Sequence, residues 1–373
     1  MIATSVDPNT EQLGKRMLSR VTVALTGDII PVRKLSPLSE SAKSVFDFVG
    51  AADFAVGNFE IPLTRKGNPL EKLLNIRADP TIANSFSVLG LDVVTVANNH
   101  SVDYGWEGLS ETVSTLRETG LRVVGAGDTI VQAQRPEIAE VAGKKIGIIA
   151  FSCLLPTGMA ASPDRPGISP IHIHTSYEID SYYQMEEPGD ISVVQVRTQT
   201  RSSDLALAVS AVKALKQRCD IAVVTIHWGF GSGEDLAEYQ HPLAKSLIDA
   251  GADVIHGHHP HAIHAIGFYK NRPIFFSLGT LVGQQVFLEA SPAVKALWAG
   301  MSPDGYVATL TISNDGDIAV EMIPTTLDSD RLPRIATGTD LDRIRDRLSR
   351  LSPPYGAYIE SSGAVLRAKA ATT

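Results

Sequence analysis

The stretch Val93-Val-Thr-Val-Ala-Asn-Asn-His-Ser-Val-Asp103 opens as an apolar, β-branched run and turns at once into two amides, an imidazole and a carboxylate. The apolar run fits a buried strand, and polar side chains crowded directly after it fit the ligand-binding edge of an open α/β sheet. The same pattern recurs along the chain. Val21-Thr-Val-Ala-Leu25 runs into Gly27-Asp28, and Phe54-Ala-Val56 into Gly57-Asn-Phe-Glu60. A strand over 220–226 runs into His227-Trp-Gly229, and one over 252–255 into His256-Gly-His-His-Pro-His261. Helical spacing fills the intervals at Ser39–Val49, Pro80–Leu89, Glu107–Glu118, Ser203–Lys216 and His241–Ala250, with Gly120 placed to close the third. Strands alternating with helices predict an α/β chain whose central β-sheets are flanked by helices.

The remaining segments are simpler to place. Arg122–Val124 and Pro273–Ser277 read as strands, Ile138–Val141 with Lys145–Ser152 as a hairpin, and Gly305–Pro324 as a hairpin turning at Asn314-Asp-Gly316. Residues 154–190 are rich in proline and glycine with little periodicity, which predicts an irregular, lid-like insertion. His172 and His174 alternate within it as lid candidates. The expected organisation is a flexible N-terminus over 1–20, one metallo-enzyme domain over 21–330, and a charged helix at Asp340–Leu351 with a frayed tail in 331–373.

The 373 residues are 44% hydrophobic, enough for a large core, and the formal charge of −8 argues against a nucleic-acid binder. The two cysteines, Cys153 and Cys219, lie in apolar surroundings and read as reduced core thiols. No run of 18 apolar residues and no apolar leader occurs, so a cytoplasmic protein without a membrane anchor is expected.

Carboxylates, imidazoles and an amide gathered at one sheet edge make a site for a divalent metal: Mn, Zn or Fe, or Ca if oxygen dominates. Each residue alone has a plainer reading, Asp28 as a cap, Asn98 and Asn99 as turn formers, His227 as a satisfied core histidine. Five such clusters in this order favour the site. Arg33 and Arg77 are the cations nearest it in sequence and are candidates to fork onto a substrate carboxylate, with Trp106 as a pocket wall. Trp228 reads as core.

Taken together, Gly27-Asp28 with Arg33, Asn58-Phe-Glu60, Asn98-Asn-His-Ser-Val-Asp-Tyr-Gly105, Val124-Gly-Ala-Gly127, His227-Trp-Gly229, Asp249-Ala-Gly-Ala-Asp253 and Gly257-His-His-Pro-His261 resemble the CapA proteins of poly-γ-glutamate capsule synthesis. These are relatives of the calcineurin-like metallophosphoesterases, and the resemblance runs from about Val21 to Leu281. Ser277-Leu-Gly279 also fits, although Thr280 stands where the family usually has Asn. The resemblance implies a calcineurin-like metallophosphoesterase fold. It also implies that Asp28, Glu60, Asn99, His227, His259 and His261 surround a metal, with His100 and Asp103 as a pair that either supports those ligands from outside or acts in catalysis. The phosphoesterase relatives begin Asp-x-His, whereas this chain has Asp28-Ile-Ile30, which counts against a two-metal phosphatase centre.

Three functions follow from these readings. The family resembled includes a metal-dependent lasso-peptide epimerase working by His/Asp acid–base chemistry, which implies an isomerase acting at a peptide α-carbon. The surplus histidines His100, His256, His258 and His264 supply proton carriers for such work, His258 beside His100 being the expected catalytic pair of rings. A metal-dependent hydrolase of amide (poly-γ-glutamate-like) or phosphoester bonds is the alternative. A non-catalytic capsule-assembly component is the third. The expected partner is a peptide or peptide-like carboxylate. The sequence does not fix an oligomeric state.

Overall fold

A computed structural model describes residues 20–231 and 233–371. The N-terminus expected to be flexible falls, through residue 19, outside them. Two sheets face one another. In the larger, strands β1 (Val21–Ile30), β2 (Phe54–Phe59), β3 (Val93–Thr95) and β4 (Arg122–Val124) run parallel. Asp304–Ile312 and Ile318–Leu327 extend this sheet antiparallel from β1. The smaller sheet has Lys144–Ser152, Ile221–His227, Val254–His258 and Arg272–Phe275 in parallel, with Glu137–Val141 and Ile266–Tyr269 antiparallel at its edges.

Strand alternation builds the layers. Val21, Val23 and Leu25 of β1 point into a core between the sheets, where Ile146, Ile148, Val223 and Val254 of the smaller sheet meet them. Ala24 points the other way, into a core under the helices Glu40–Gly50 and Gly105–Glu118. Ile149, Val224 and Ile255 likewise face the helices Ser202–Lys216 and Gln240–Asp249. Helices, sheet, sheet and helices therefore stack in four layers, with central sheets flanked by helices as the sequence pattern indicates. The parallel strands of both sheets deliver the polar clusters at their C-terminal ends.

Close approach at the site end is allowed by missing side chains. A Cβ at Gly257 would stand 2.4 Å from Trp228 Nε1, and one at Gly27 would stand 2.0 Å from the Gly279 carbonyl oxygen. Trp228 is buried, donates from Nε1 to the Phe276 carbonyl at 2.9 Å and stacks on Phe276, so it is core.

Three expectations need correction. Pro80–Leu89 is a run of 3₁₀ turns rather than an α-helix, ended by Gly90 in the left-handed conformation. The 154–190 insertion is not irregular throughout. Ile173–Ile179 pairs antiparallel with Val194–Thr200 over seven residues, and the helix Ser181–Glu186 sits in the connection. Both faces of that hairpin meet water, so it lacks the apolar alternation that marks a half-buried strand. Through residue 371, the last one described, the C-terminal tail is not frayed. Ala357–Ser362 and Val365–Ala370 form a hairpin whose second strand joins Ile318–Leu327, and Leu366 and Ala368 enter the inter-sheet core with Ile344 and Leu348 of the helix Thr339–Leu351. Residues 331–373 thus belong, as far as they are described, to the main body. Among the described residues no helix is long and apolar enough to cross a membrane.

Because Leu366 is fully buried, Leu366→Ala is expected to cost about 2–5 kcal/mol in urea unfolding, the range for a truncated core leucine. A frayed tail would give a change near zero.

Candidate metal centre

The centre is assembled around the side-chain amide of Asn58, at the end of β2. Its two N–H groups donate to Asp28 Oδ1 at 2.8 Å and Glu60 Oε2 at 3.1 Å, holding each carboxylate by one oxygen. Asn58 is itself oriented by Asn98, which donates to Asn58 Oδ1 at 3.0 Å and to the Phe59 carbonyl at 2.9 Å. The side-chain carbonyl oxygen of Asn98 accepts from the backbone of His100 and Ser101 and from the Ser101 hydroxyl, which shapes the turn after β3.

The other carboxylate oxygens, Asp28 Oδ2 and Glu60 Oε1, are buried without a hydrogen bond, as are His259 Nδ1 and His261 Nδ1. These four atoms converge. His261 Nδ1 lies 2.9 Å from Asp28 Oδ2, His261 Nε2 lies 3.6 Å from Glu60 Oε1, and His259 Nδ1 lies 4.0 Å from Glu60 Oε1. His227 Nε2 is 3.4 Å from Glu60 Oε1 and 2.8 Å from Asn99 Oδ1. Two trios have donor atoms within 4.8 Å of one another: Asp28, His227 and His258, and Glu60, His259 and His261. His259 and His261 have φ of 111° and 50°, an unfavourable backbone for side-chain-bearing residues, here following strand Val254–His258.

Burial sets the electrostatics. Burial raises Asp28, but His261 beside it, with His258 and Asn58, more than offsets this and leaves the carboxyl well below its usual range. Glu60 is raised far above its usual value by burial and by the neighbouring Asp28 charge. Burial, and then their mutual repulsion, holds His227 and His258 neutral far below the usual imidazole value and brings His259 down to about 3. Two carboxylates and several neutral imidazoles held in one dry space lack positive charge, and a divalent cation fits that donor set.

Beside this cradle, His100 Nδ1 meets Asp103 Oδ2 at 2.8 Å. The fully buried Asp103 also accepts from the Ile76 amide at 2.7 Å and pairs through Oδ1 with Lys72, whose ammonium donates to the Asn99 carbonyl at 2.8 Å. His100 keeps 9% of its surface exposed, and its Nε2 is the nitrogen left for exchange. Its ring is near enough to interact electrostatically with His227 and His259, so it borders the cradle.

All six expected ligands and the His100–Asp103 pair are brought together. Lys72 joins them although no motif marks it; its place depends on the 70–76 loop folding over Asp103. Asn58 and Asn98 stand in the sequence motifs, but their linking role depends on geometry. His258 departs from the expected acid–base role. Its ring is fully buried, with Nε2 2.8 Å from Thr225 Oγ1 and Nδ1 2.9 Å from His227 Nδ1, so it has no exposed nitrogen. With Asn99 Oδ1 accepting from His227 Nε2, His258 Nδ1 donates to His227 and accepts at Nε2 from Thr225, an arrangement that fixes the His227 ring. Among the described residues, the three expected substrate contacts make no hydrogen bond or ion pair with the cradle. Arg33 lies over the Phe287 ring at 4.0 Å and Arg77 over the Tyr104 ring at 4.4 Å. Trp106 lines a separate cavity of about 590 Å³ with Arg117, Gly125 and Arg135, and none of the six ligands borders it. His172 is an anchor rather than a lid residue, its Nδ1 2.6 Å from Asp204 Oδ2 at the base of the 173–200 hairpin.

Comparison with known proteins agrees with this geometry. Residues 22–285, which contain every residue of the cradle, match the family model described as bacterial capsule synthesis protein PGA_cap. The chain is 28% identical over 274 residues to the PGA biosynthesis protein CapA of Bacillus subtilis (strain 168), covering 71% of this chain and 64% of that one, so it spans less than two thirds of that relative. It is 24% identical over 341 residues to the capsule biosynthesis protein CapA of Bacillus anthracis, covering 89% and 73%. To a probable polyglutamine synthesis accessory protein of Mycobacterium tuberculosis (strain H37Rv) it is 28% identical over 314 residues, covering 83% and 75%.

His256, buried behind the cradle with Nε2 2.8 Å from the Thr26 carbonyl oxygen, is brought down by burial from 6.5 to about 4. Its folded value is depressed, so its contribution is complete above pH 6.5 and is lost as pH falls towards 4, a total of about 3 kcal/mol. In chelator, urea unfolding is therefore expected to weaken steeply across that window, and His256→Gln to flatten the slope. An unchanged slope in that variant contradicts the assignment.

Proposed function

The chain belongs to the bacterial capsule synthesis protein (PGA_cap) family, with its calcineurin-like metallophosphoesterase fold, and on that premise we propose a metal-dependent acid–base enzyme acting on a peptide-like, carboxylate-bearing substrate. The observation that carries the proposal is the His100–Asp103 pair at the rim of a buried cradle with four unpartnered donor atoms. The cradle residues are Asp28, Glu60, His259 and His261, with Asn99 and His227 beside them. Mixed nitrogen and oxygen donors suit Mn, Fe or Zn better than Ca. A bound divalent cation supplies positive charge that polarises a substrate carbonyl and makes the adjacent Cα–H more acidic.

The chain's own residues account for the proton chemistry. Lys72 and the Ile76 amide hold Asp103 in place, and Asp103 accepts from His100 Nδ1, which leaves His100 Nε2 as the base. We place its action at a peptide α-carbon, where His100 Nε2 takes the proton from one face and solvent water delivers one to the opposite face, giving the epimer and, after His100 releases its proton, restoring the base. The position of the histidine that phosphatases carry after the first aspartate is taken by Ile30, which is packed in the core under the helices. This weakens the case for phosphoester hydrolysis. Hydrolysis of an amide bond is the second reading, since donor atoms gather in two trios, although His227 and His258 of one trio are hydrogen-bonded to protein at both nitrogens. The names of the relatives point to glutamyl polymers as the first substrates to try.

Glutamyl oligomers and other peptides incubated in deuterated water with added Mn or Zn discriminate the readings by mass spectrometry. A one-dalton gain at unchanged length is expected; fragments favour hydrolysis, and no change in any peptide contradicts an enzyme of this class. His100→Ala is expected to lower turnover by about 10²–10⁴-fold with metal content retained, whereas His259→Ala loses metal. Equal metal loss in both variants removes His100 from its acid–base role.

A further inference from the structure

The hairpin formed by Ile173–Ile179 and Val194–Thr200 stands away from both sheets and pairs only with itself. Isolated two-stranded hairpins are marginal in water, yet this one is firmly rooted. At its base, Asp204 Oδ2 accepts from the His172 amide at 2.8 Å and the Arg201 amide donates to the His172 carbonyl at 2.8 Å. Along its second strand, Glu238 accepts from the Thr198 amide at 2.8 Å and from Arg197 at 3.3 Å. One outward amide of the second strand, that of Thr198, is thereby engaged. Among the described residues, the outer edge of Ile173–Ile179 has no backbone partner.

That edge is lightly guarded: its one carboxylate, Glu178, accepts from Arg197 Nε on the neighbouring strand at 2.9 Å. The strand Ile-His-Thr-Ser-Tyr-Glu-Ile contains no proline, lysine or bulge, and it pairs in unbroken register with its neighbour. Large apolar side chains are exposed on the same arm, among them Tyr177 at 68%, Tyr182 at 81% and Ile191 at 86%. The Glu238 contact also fixes which groups point outward. Thr198 opposes Thr175, and since the Thr198 amide is aimed away from the hairpin, so are the backbone groups of Thr175 and, by alternation, of Ile173, Tyr177 and Ile179.

We propose that this edge joins a second copy of the same chain, two Ile173–Ile179 strands pairing antiparallel about a two-fold axis at Ser176. Of the registers that use the outward backbone groups, this one pairs all seven residues. It sets each His174 opposite the Glu178 of the second copy, twice, on one face. On the other face Tyr177 meets Thr175 and lies diagonal to the second Tyr177, while Ile179 meets Ile173. A self-complementary strand is what a two-fold contact requires. The second strand is unsuited to the same arrangement, because its central residue, Arg197, would face its own copy.

The two-fold position gives a direct test. Cys153 and Cys219 are buried, so Ser176→Cys introduces the exposed thiol, at a position where the two strands come closest. Light scattering of the full chain is expected to give twice the chain mass, and mild oxidation of the Ser176→Cys protein a disulfide-linked dimer on a non-reducing gel. Thr175→Pro removes an outward N–H without touching the hairpin's own ladder, and Tyr177→Lys brings two cations together near the axis. Both are expected to be monomers, with the folded state checked by circular dichroism; should Thr175→Pro misfold, Tyr177→Lys decides. A monomeric parent chain, a dimer that survives Tyr177→Lys, or a Ser176→Cys dimer whose introduced thiols fail to cross-link overturns the proposal.

Discussion

The rest of the site depends on one side-chain amide. Asn58 holds Asp28 and Glu60 by their rear oxygens, at 2.8 and 3.1 Å, and so commits their front oxygens to a space where they make no protein hydrogen bond and face the imidazoles of His259 and His261. A buried carboxylate oxygen without a partner is costly, and here two are kept side by side with two unpartnered imidazole nitrogens. Such an arrangement persists when the surrounding fold overdetermines it. Asn98 fixes Asn58, the two sheets fix the strand ends, and the strained backbone at His259 and His261 aims the rings.

Charge accounts for the division of labour around that amide. Glu60 is raised by burial and by Asp28, while the nearby histidines are held neutral by burial and by one another. A cation satisfies both tendencies at once. At the rim, Lys72 pairs with Asp103, which in turn holds His100 by Nδ1 and leaves its Nε2 free. The interior is thus arranged to hold an ion and the rim to move a proton.

Much of this is legible in the sequence. Strand-then-polar punctuation at Asp28, Glu60, Asn99, His227 and His259 reflects a physical rule: parallel strands deliver their loops to one edge, so residues far apart in the chain share a site. What is not legible depends on distances between segments. The role of Lys72 requires the 70–76 loop to close over Asp103, and the closed surroundings of His258 require Thr225 and His227 on the adjacent strand. Arg33 and Arg77 are close to the site motifs in sequence, but the contacts they make are with the rings of Phe287 and Tyr104, which sequence spacing does not show. The hairpins at 173–200 and 357–370 leave little trace in the sequence for a related reason. The first is wet on both faces, and the second places few apolar side chains, such as Leu366 and Ala368, in the core.

The central claim is that Asp28, Glu60, His259 and His261 are kept unpartnered in order to hold a divalent cation. Anomalous diffraction from crystals grown with Mn or Zn tests it most directly. The account predicts a peak bounded by Asp28 Oδ2, Glu60 Oε1 and the rings of His259 and His261, and its loss in Asn58→Leu crystals. Crystals saturated with metal that show no peak there, with the four atoms instead bridged by ordered water, would contradict it.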